Sequence, residues 1–253
     1  MYKFSNNHFE DFEFGGKKLS ELGGYVGGEG GLKQYPIIPG RNYVTDKPIG
    51  SNITTVFNSS LEPRPFEVPI VFEELTDGKI REVAMWLDSP KPKKFMYVGD
   101  SVYINACLDG NFDFQSSSGI DGQVALKFIA YDPYYYSNTK TNKTISSLIS
   151  GNEYKYENNG CDELPPYITI GCSGTIELEI LDSNKNVYTS TTITNITGGV
   201  IIDSENENCT TLSGASMFRY IDNFPLLPNG DFYVKITGSN LGNFSIEYRE
   251  RFK

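Results

Sequence analysis

Between Thr76 and Pro133 the apolar positions follow first one period and then another. Ile80, Val83, Ala84 and Leu87 recur at i, i+3, i+4 and i+7, with Lys79, Arg81, Glu82 and Asp88 off that stripe, and the spacing predicts an amphipathic helix. Thr76 suits its N-cap, Asp77 suits the positive end of the helix dipole, and Pro90 and Pro92 prevent continuation, so the helix spans about three turns. Trp86, the only tryptophan, lies beside the stripe and widens its apolar area. Period two then takes over. Phe95 to Val98, Val102 to Leu108 and Val124 to Tyr131 read as strands, with turns at Gly99-Asp100 and Asp109-Gly110-Asn111. One helix packed on an antiparallel sheet is the expected core of this half.

Upstream, Phe9, Phe12 and Phe14 precede Gly15-Gly16 and predict an opening strand or hairpin. Gly23-Gly24, Gly27-Gly28 and Gly30-Gly31 predict a mobile loop. They carry neither the Gly-Lys-Ser/Thr nor the G-x-G-x-x-G context of a phosphate cradle. Tyr35 to Pro39 is extended, because proline disfavours helix at the residue before it. Ile53 to Phe57 and Phe66 to Phe72 are strand-like, and Pro69 suits an edge or the end of a ladder. Tyr134-Tyr135-Tyr136 and the Ser-, Thr- and Asn-rich run behind it mark a boundary. The expected division is a first domain over 1–136, a linker over 137–165 and a second domain over 166–253. The second reads as short strands at sandwich-like spacing, with Asp182 to Asn186 as its sharpest turn.

Composition agrees with a mainly β chain: Gly 25, Tyr 17 and Phe 16 stand against one Trp and four Met in 253 residues. A net charge of −10 excludes a nucleic-acid backbone as direct partner, and the small cluster Lys91, Lys93 and Lys94 reads as a solvated turn. The N-terminus shows no secretory signal pattern, and no run approaches the roughly 20 apolar residues of a membrane span, so synthesis in the cytoplasm without membrane insertion is expected. Cys107, Cys161, Cys172 and Cys209 are scattered, and reduced thiols are the default there.

Catalytic chemistry finds little to build on. His8 is the single histidine, no metal-ligand spacing occurs, and no cofactor motif is present. Asp182-Ser183-Asn184 begins like a calcium loop, but Val187 and Ile193 stand where that loop needs glycine and glutamate. A glycosidase needs only two carboxylates, yet Glu73/Glu74, Asp162/Glu163 and Glu177/Glu179 read as surface groups of an acidic protein. The chain is expected to be no enzyme. A carbohydrate-binding module is the rival reading, with Tyr188, Tyr220 and Phe232 as its candidate contacts.

An ordered set of motifs resembles the phage distal tail protein family. It comprises Phe12-Glu13-Phe14-Gly15, Pro39-Gly40-Arg41-Asn42, Trp86-Leu87 in the helix, and Ala130-Tyr131-Asp132-Pro133-Tyr134. Gly198 to Ser204 and Phe224 to Gly230 follow in the second half. The resemblance implies a split-barrel-like N-terminal β domain with one α-helix and a galectin-like or carbohydrate-module-like C-terminal β-sandwich. It further implies a virion protein of the tail tip, made in the host bacterial cytoplasm. Its partners would be five further copies in a homohexameric ring, the tail tube protein, a tail-associated tip protein, and a receptor-binding protein or host-surface glycan. Gly40, Arg41, Trp86, Leu87, Asp132 and Pro133 carry the signature and read as fold or ring residues. A cyclic ring needs two different sticky faces on each subunit, expected here on the sheet after the helix and on the Gly-rich segment.

Overall fold

The computed structural model of the chain describes residues 11–27, 39–47, 49, 52–111, 113 and 122–253. They form two compact units that meet in sequence between Tyr135 and Tyr136. The first holds β1 (Phe12–Phe14), β2 (Lys17–Lys18), β3 (Gly24–Val26), β4 (Arg41–Asp46), β5 (Thr55–Leu61) and β6 (Arg64–Phe72). The helix α1 (Asp77–Leu87), β7 (Lys93–Tyr97), β8 (Val102–Leu108) and β9 (Gly122–Ala130) complete it. Strands β2-β1-β7-β8-β9-β6-β3 lie side by side and curl into a half-barrel, while β4 and β5 form a separate two-stranded sheet.

Aromatic side chains fill the curl. Phe12 stacks on Phe95 at 5.0 Å between ring centroids, and Phe66 on Phe128 at 5.4 Å. The opening motif Phe12-Glu13-Phe14 therefore supplies core: both phenylalanines are fully buried, with Glu13 on the other side of the strand. The helix starts as its sequence dictates, with the Thr76 hydroxyl accepting from the Lys79 N–H at 3.3 Å. Its buried stripe is not Ile80-Val83-Ala84-Leu87, however. Val83, Trp86 and Leu87 are buried, Ile80 is half-buried and Ala84 is exposed. The reason is Trp86, which stacks on Phe12 at 5.5 Å and donates its indole N–H to the Phe14 carbonyl at 2.9 Å. The largest apolar group faces the sheet, and the small Ala84 is turned outward.

The Gly-rich segment also differs from expectation where it is described. Gly23 is the left-handed cap of a short 3-10 turn over Leu19–Leu22 (φ 77°). Gly24 to Val26 form β3 on Phe72 to Ile70 of β6. A Cβ on Gly24 would press into Leu19 and Phe72, so close packing, not mobility, accounts for this glycine. Residues 28–31 of that segment lie outside the described residues, as do Tyr35 to Ile38. Pro69 sits where β3 ends, its carbonyl accepting from the Gly27 N–H at 3.0 Å.

At the boundary lies β10 (Tyr135–Ser137). The second unit then contains β11 (Thr141–Ile145), β12 (Glu153–Asn158), β13 (Tyr167–Ile170), β14 (Gly174–Leu181) and β15 (Val187–Ile196). It continues through β16 (Val200–Asp203), β17 (Asn208–Thr211), β18 (Gly230–Gly238), β19 (Phe244–Tyr248) and β20 (Arg251–Phe252). One sheet runs β11-β19-β13-β16-β17 and the other β12-β18-β14-β15. Ile168, Ile170, Ile202 and Ile246 of the first sheet and Ile176, Leu178, Val234 and Ile236 of the second share one buried cluster, a β-sandwich core. Residues 137–165, expected as a linker, contribute β11 and β12, which pair with β19 and β18. All four cysteines are free thiols.

Candidate assembly surface

The sheet β4–β5 is an arm. Its base is closed by the Glu62 N–H donating to the Gly40 carbonyl at 2.8 Å. A Cβ on Gly40 would meet the Glu62 carboxylate, the movable end of its side chain. From Arg41↔Leu61 the register runs through Tyr43↔Ser59 to Val44↔Asn58, then continues at Thr45↔Val56, leaving Phe57 as the extra residue of a bulge. Arg41 reaches across to the Ser59 hydroxyl at 3.3 Å.

Every residue of β4 is exposed. Tyr43 and Val44, neighbours on one strand, present opposite faces of the arm, at 58% and 61% exposure. Val56, Phe57 and Ile53 add further exposed apolar area. An isolated two-stranded ribbon is marginal in water, and apolar side chains on both of its faces cover nothing among the described residues of their own unit. The outer edges of β4 and β5 also present backbone groups with no strand beside them in the described residues.

The signature residues fall in three places. Gly40 and Arg41 form the root of the arm. Trp86 and Leu87 are buried in the half-barrel and serve the fold. Asp132 and Pro133 follow β9, where Pro133 is buried and the Asp132 carboxylate accepts weakly from the Tyr134 N–H at 3.5 Å.

One residue of this region escaped the sequence reading. Arg64, the first residue of β6 and just beyond the arm, is 1% exposed, with its guanidinium over the Tyr135 ring at 4.7 Å and no hydrogen bond from any of its three nitrogens. Its only sequence mark is its place between Pro63 and Pro65.

The proposed sugar contacts do not form a set. Phe232 is fully buried, stacked on Tyr156 at 5.7 Å and edge-on to Tyr248 at 6.1 Å, so it is core and meets no ligand. Its alternation along β18 placed it on the inner face of the sandwich. Tyr220 is half-buried in a 3-10 turn, with the Arg219 guanidinium over its ring at 5.0 Å. Tyr188 lies exposed on β15 and donates its hydroxyl to the Glu163 carboxylate; desolvation and that carboxylate push the phenol up to about 12.

Residues 7–129 match the family model of the phage tail protein N-terminal domain. No curated protein matches the chain by sequence. Among solved structures the chain is similar to the Dit (gp 19.1) protein of phage SPP1, described as a paradigm of the hub adsorption apparatus in phages infecting Gram-positive bacteria. That match has a TM-score of 0.75 at 16% identity, over 96% of this chain and 99% of that one. It is also similar to a chain of the phage p2 baseplate in its activated conformation with strontium, with a TM-score of 0.50 at 12% identity over 95% and 98%. Residues 7–129 thus match the phage tail protein N-terminal domain model, and the chain as a whole shares the fold of the SPP1 Dit protein.

Proposed function

We propose that this chain is a structural, non-enzymatic virion protein that closes into a hexameric ring at the distal end of a long phage tail. The ring would join the tail tube to the tip and to the proteins that contact the host. The exposed β4–β5 arm carries the reading, because it offers apolar side chains and open strand edges that the described residues of its own unit leave uncovered. The arm is one patch of a heterologous interface, the kind that generates rings when its rotation closes. The fold shared with a protein described as an adsorption hub supports the same reading, and the number six rests on the family resemblance. The sugar-binding alternative loses Phe232 and no feature of the second unit favours it.

The test is native mass spectrometry of the full chain, followed by imaging of any assembled species. Six copies of the 28.3 kDa chain give about 170 kDa. Shortening the arm by replacing residues 42–60 with a tight turn is expected to leave a folded monomer, since the described residues among them belong to neither core. Normal rings from the shortened chain would sink the proposal.

A further inference from the structure

Two Asn-Gly steps occur in the chain, Asn159-Gly160 just after β12 and Asn229-Gly230 at the start of β18. Such a step can react with itself, because glycine leaves its backbone nitrogen unshielded beside the preceding side-chain amide. The fold treats the two oppositely. The Gly160 N–H donates to the Asn158 side-chain oxygen at 2.9 Å. The Asn159 backbone N–H and side-chain amide both donate to the Glu250 carboxylate, at 3.1 and 3.2 Å. A Cβ on Gly160 would come within 2.7 Å of the Arg251 carbonyl, so nothing there has room to close a ring. Asn229 is exposed, and no hydrogen bond among the described residues holds its amide. Gly230 is left-handed (φ 84°), and a Cβ on it would meet nothing within 4 Å.

We propose that Asn229 is a site of spontaneous deamidation, and that the second unit ages from this turn. The Gly230 backbone nitrogen gives its proton to hydroxide and attacks the Asn229 side-chain carbonyl carbon. A C–N bond forms, the bond to the side-chain nitrogen breaks, and ammonia leaves a cyclic imide. Water then opens the imide at either carbonyl, giving an aspartate or an isoaspartyl link that carries one more carbon in the backbone. The neighbours make the position sensitive. Pro228, just before it, accepts at its carbonyl from the fully buried Asn158 amide at 3.0 Å, which ties β12 to the start of β18. Gly230 and Asp231, just after it, pair with Asn158 and Glu157. A lengthened backbone shifts the tie and the pairing out of register with each other. The added carboxylate also competes with Asp231 for Lys155, which holds it at 2.6 Å.

Peptide mapping of the full chain after incubation in mildly alkaline buffer tests the site, with mass spectrometry reading amide-to-acid conversion and an isoaspartate methyltransferase labelling the isoaspartyl product. In the folded chain Asn229 should convert about tenfold or more faster than Asn159, the scale set by the hydrogen bonds that only the Asn159-Gly160 step must break. In guanidinium the two rates should converge, since both steps are Asn-Gly. Equal rates in the folded chain, a faster Asn159, or conversion of Asn229 only after unfolding would overturn the proposal. Asn229→Gln keeps an exposed amide but places it one carbon too far for ready ring closure. Over the same incubation its thermal unfolding should stay constant while that of the native chain falls. Equal ageing of the two proteins would overturn the part that this turn plays in it.

Discussion

Two antiparallel hairpins in this chain share their local chemistry and differ in what they cover. In β14–β15, Ile176, Leu178 and Ile180 point inward with Ile193, and all four are buried. The outward Glu179 meets Lys235 at 2.7 Å. In β4–β5 the apolar Tyr43, Val44, Val56 and Phe57 stand on both faces and are exposed, and only Leu61 at the base is half-buried. A hairpin with one apolar face is finished by its own domain, whereas the one with two apolar faces is the element that we propose another copy completes. The sharpest way to break this contrast is to cut side chains in both. Leu178→Ala should cost about 2–5 kcal/mol of stability, seen in denaturant unfolding, because it empties fully packed volume. Phe57→Ala should change protomer stability by no more than about 0.5 kcal/mol while assembly is lost. A Phe57→Ala protomer as damaged as Leu178→Ala would mean that the arm belongs to its own core.

The same contrast explains what could be read from the chain. Strands with one buried face announced themselves: the expected Val102 to Leu108 coincides with β8, and the expected Asp182 to Asn186 turn joins β14 to β15. Of the arm only β5 showed in part, the strand-like Ile53 to Phe57 overlapping its first residues, since Tyr43-Val44 and Val56-Phe57 break the alternation that marks a half-buried strand. Pro39-Gly40-Arg41 pointed to its root without revealing its length. Strands β11 and β12 were hidden differently. Tyr154 and Tyr156 alternate with Glu153, Lys155 and Glu157, but the surrounding Ser, Thr and Asn content masked a polar edge pattern as a linker.

The helix is the intermediate case, because its existence and cap were legible and its rotation was not. Periodicity weighs Ile80 and Ala84 equally with Leu87, while packing answers to the bulk and the N–H of one tryptophan. Trp86→Phe keeps a ring against Phe12 but leaves the Phe14 carbonyl without its donor, and should cost about 1–3 kcal/mol in thermal unfolding of the first unit. A neutral result would show that ring stacking alone sets the rotation. Thr76→Ala removes only the cap, and about 1 kcal/mol is expected in the same measurement.

The finest interaction of the inward-facing hairpin lies at its turn. The tip of β14–β15 is held by Asp182, whose carboxylate accepts from the N–H groups of Asn186 at 2.9 Å and Asn184 at 2.8 Å. The Asn186 bond is the leading cause that holds this carboxyl below its ordinary 3.8. A depressed folded-state value means that the contribution is fully present above pH 3.8 and fades as pH falls through the lower folded value. Titrating stability downward through the ordinary carboxylate range should therefore loosen this hairpin in the native chain and spare it in Asp182→Asn, which keeps an acceptor but no titrating group. Backbone amide exchange at Asn184 and Asn186 reads the effect locally. Protection at those two amides that falls equally in both proteins would place the acid sensitivity elsewhere in the sandwich and leave its hairpin tip as indifferent to pH as an uncharged turn.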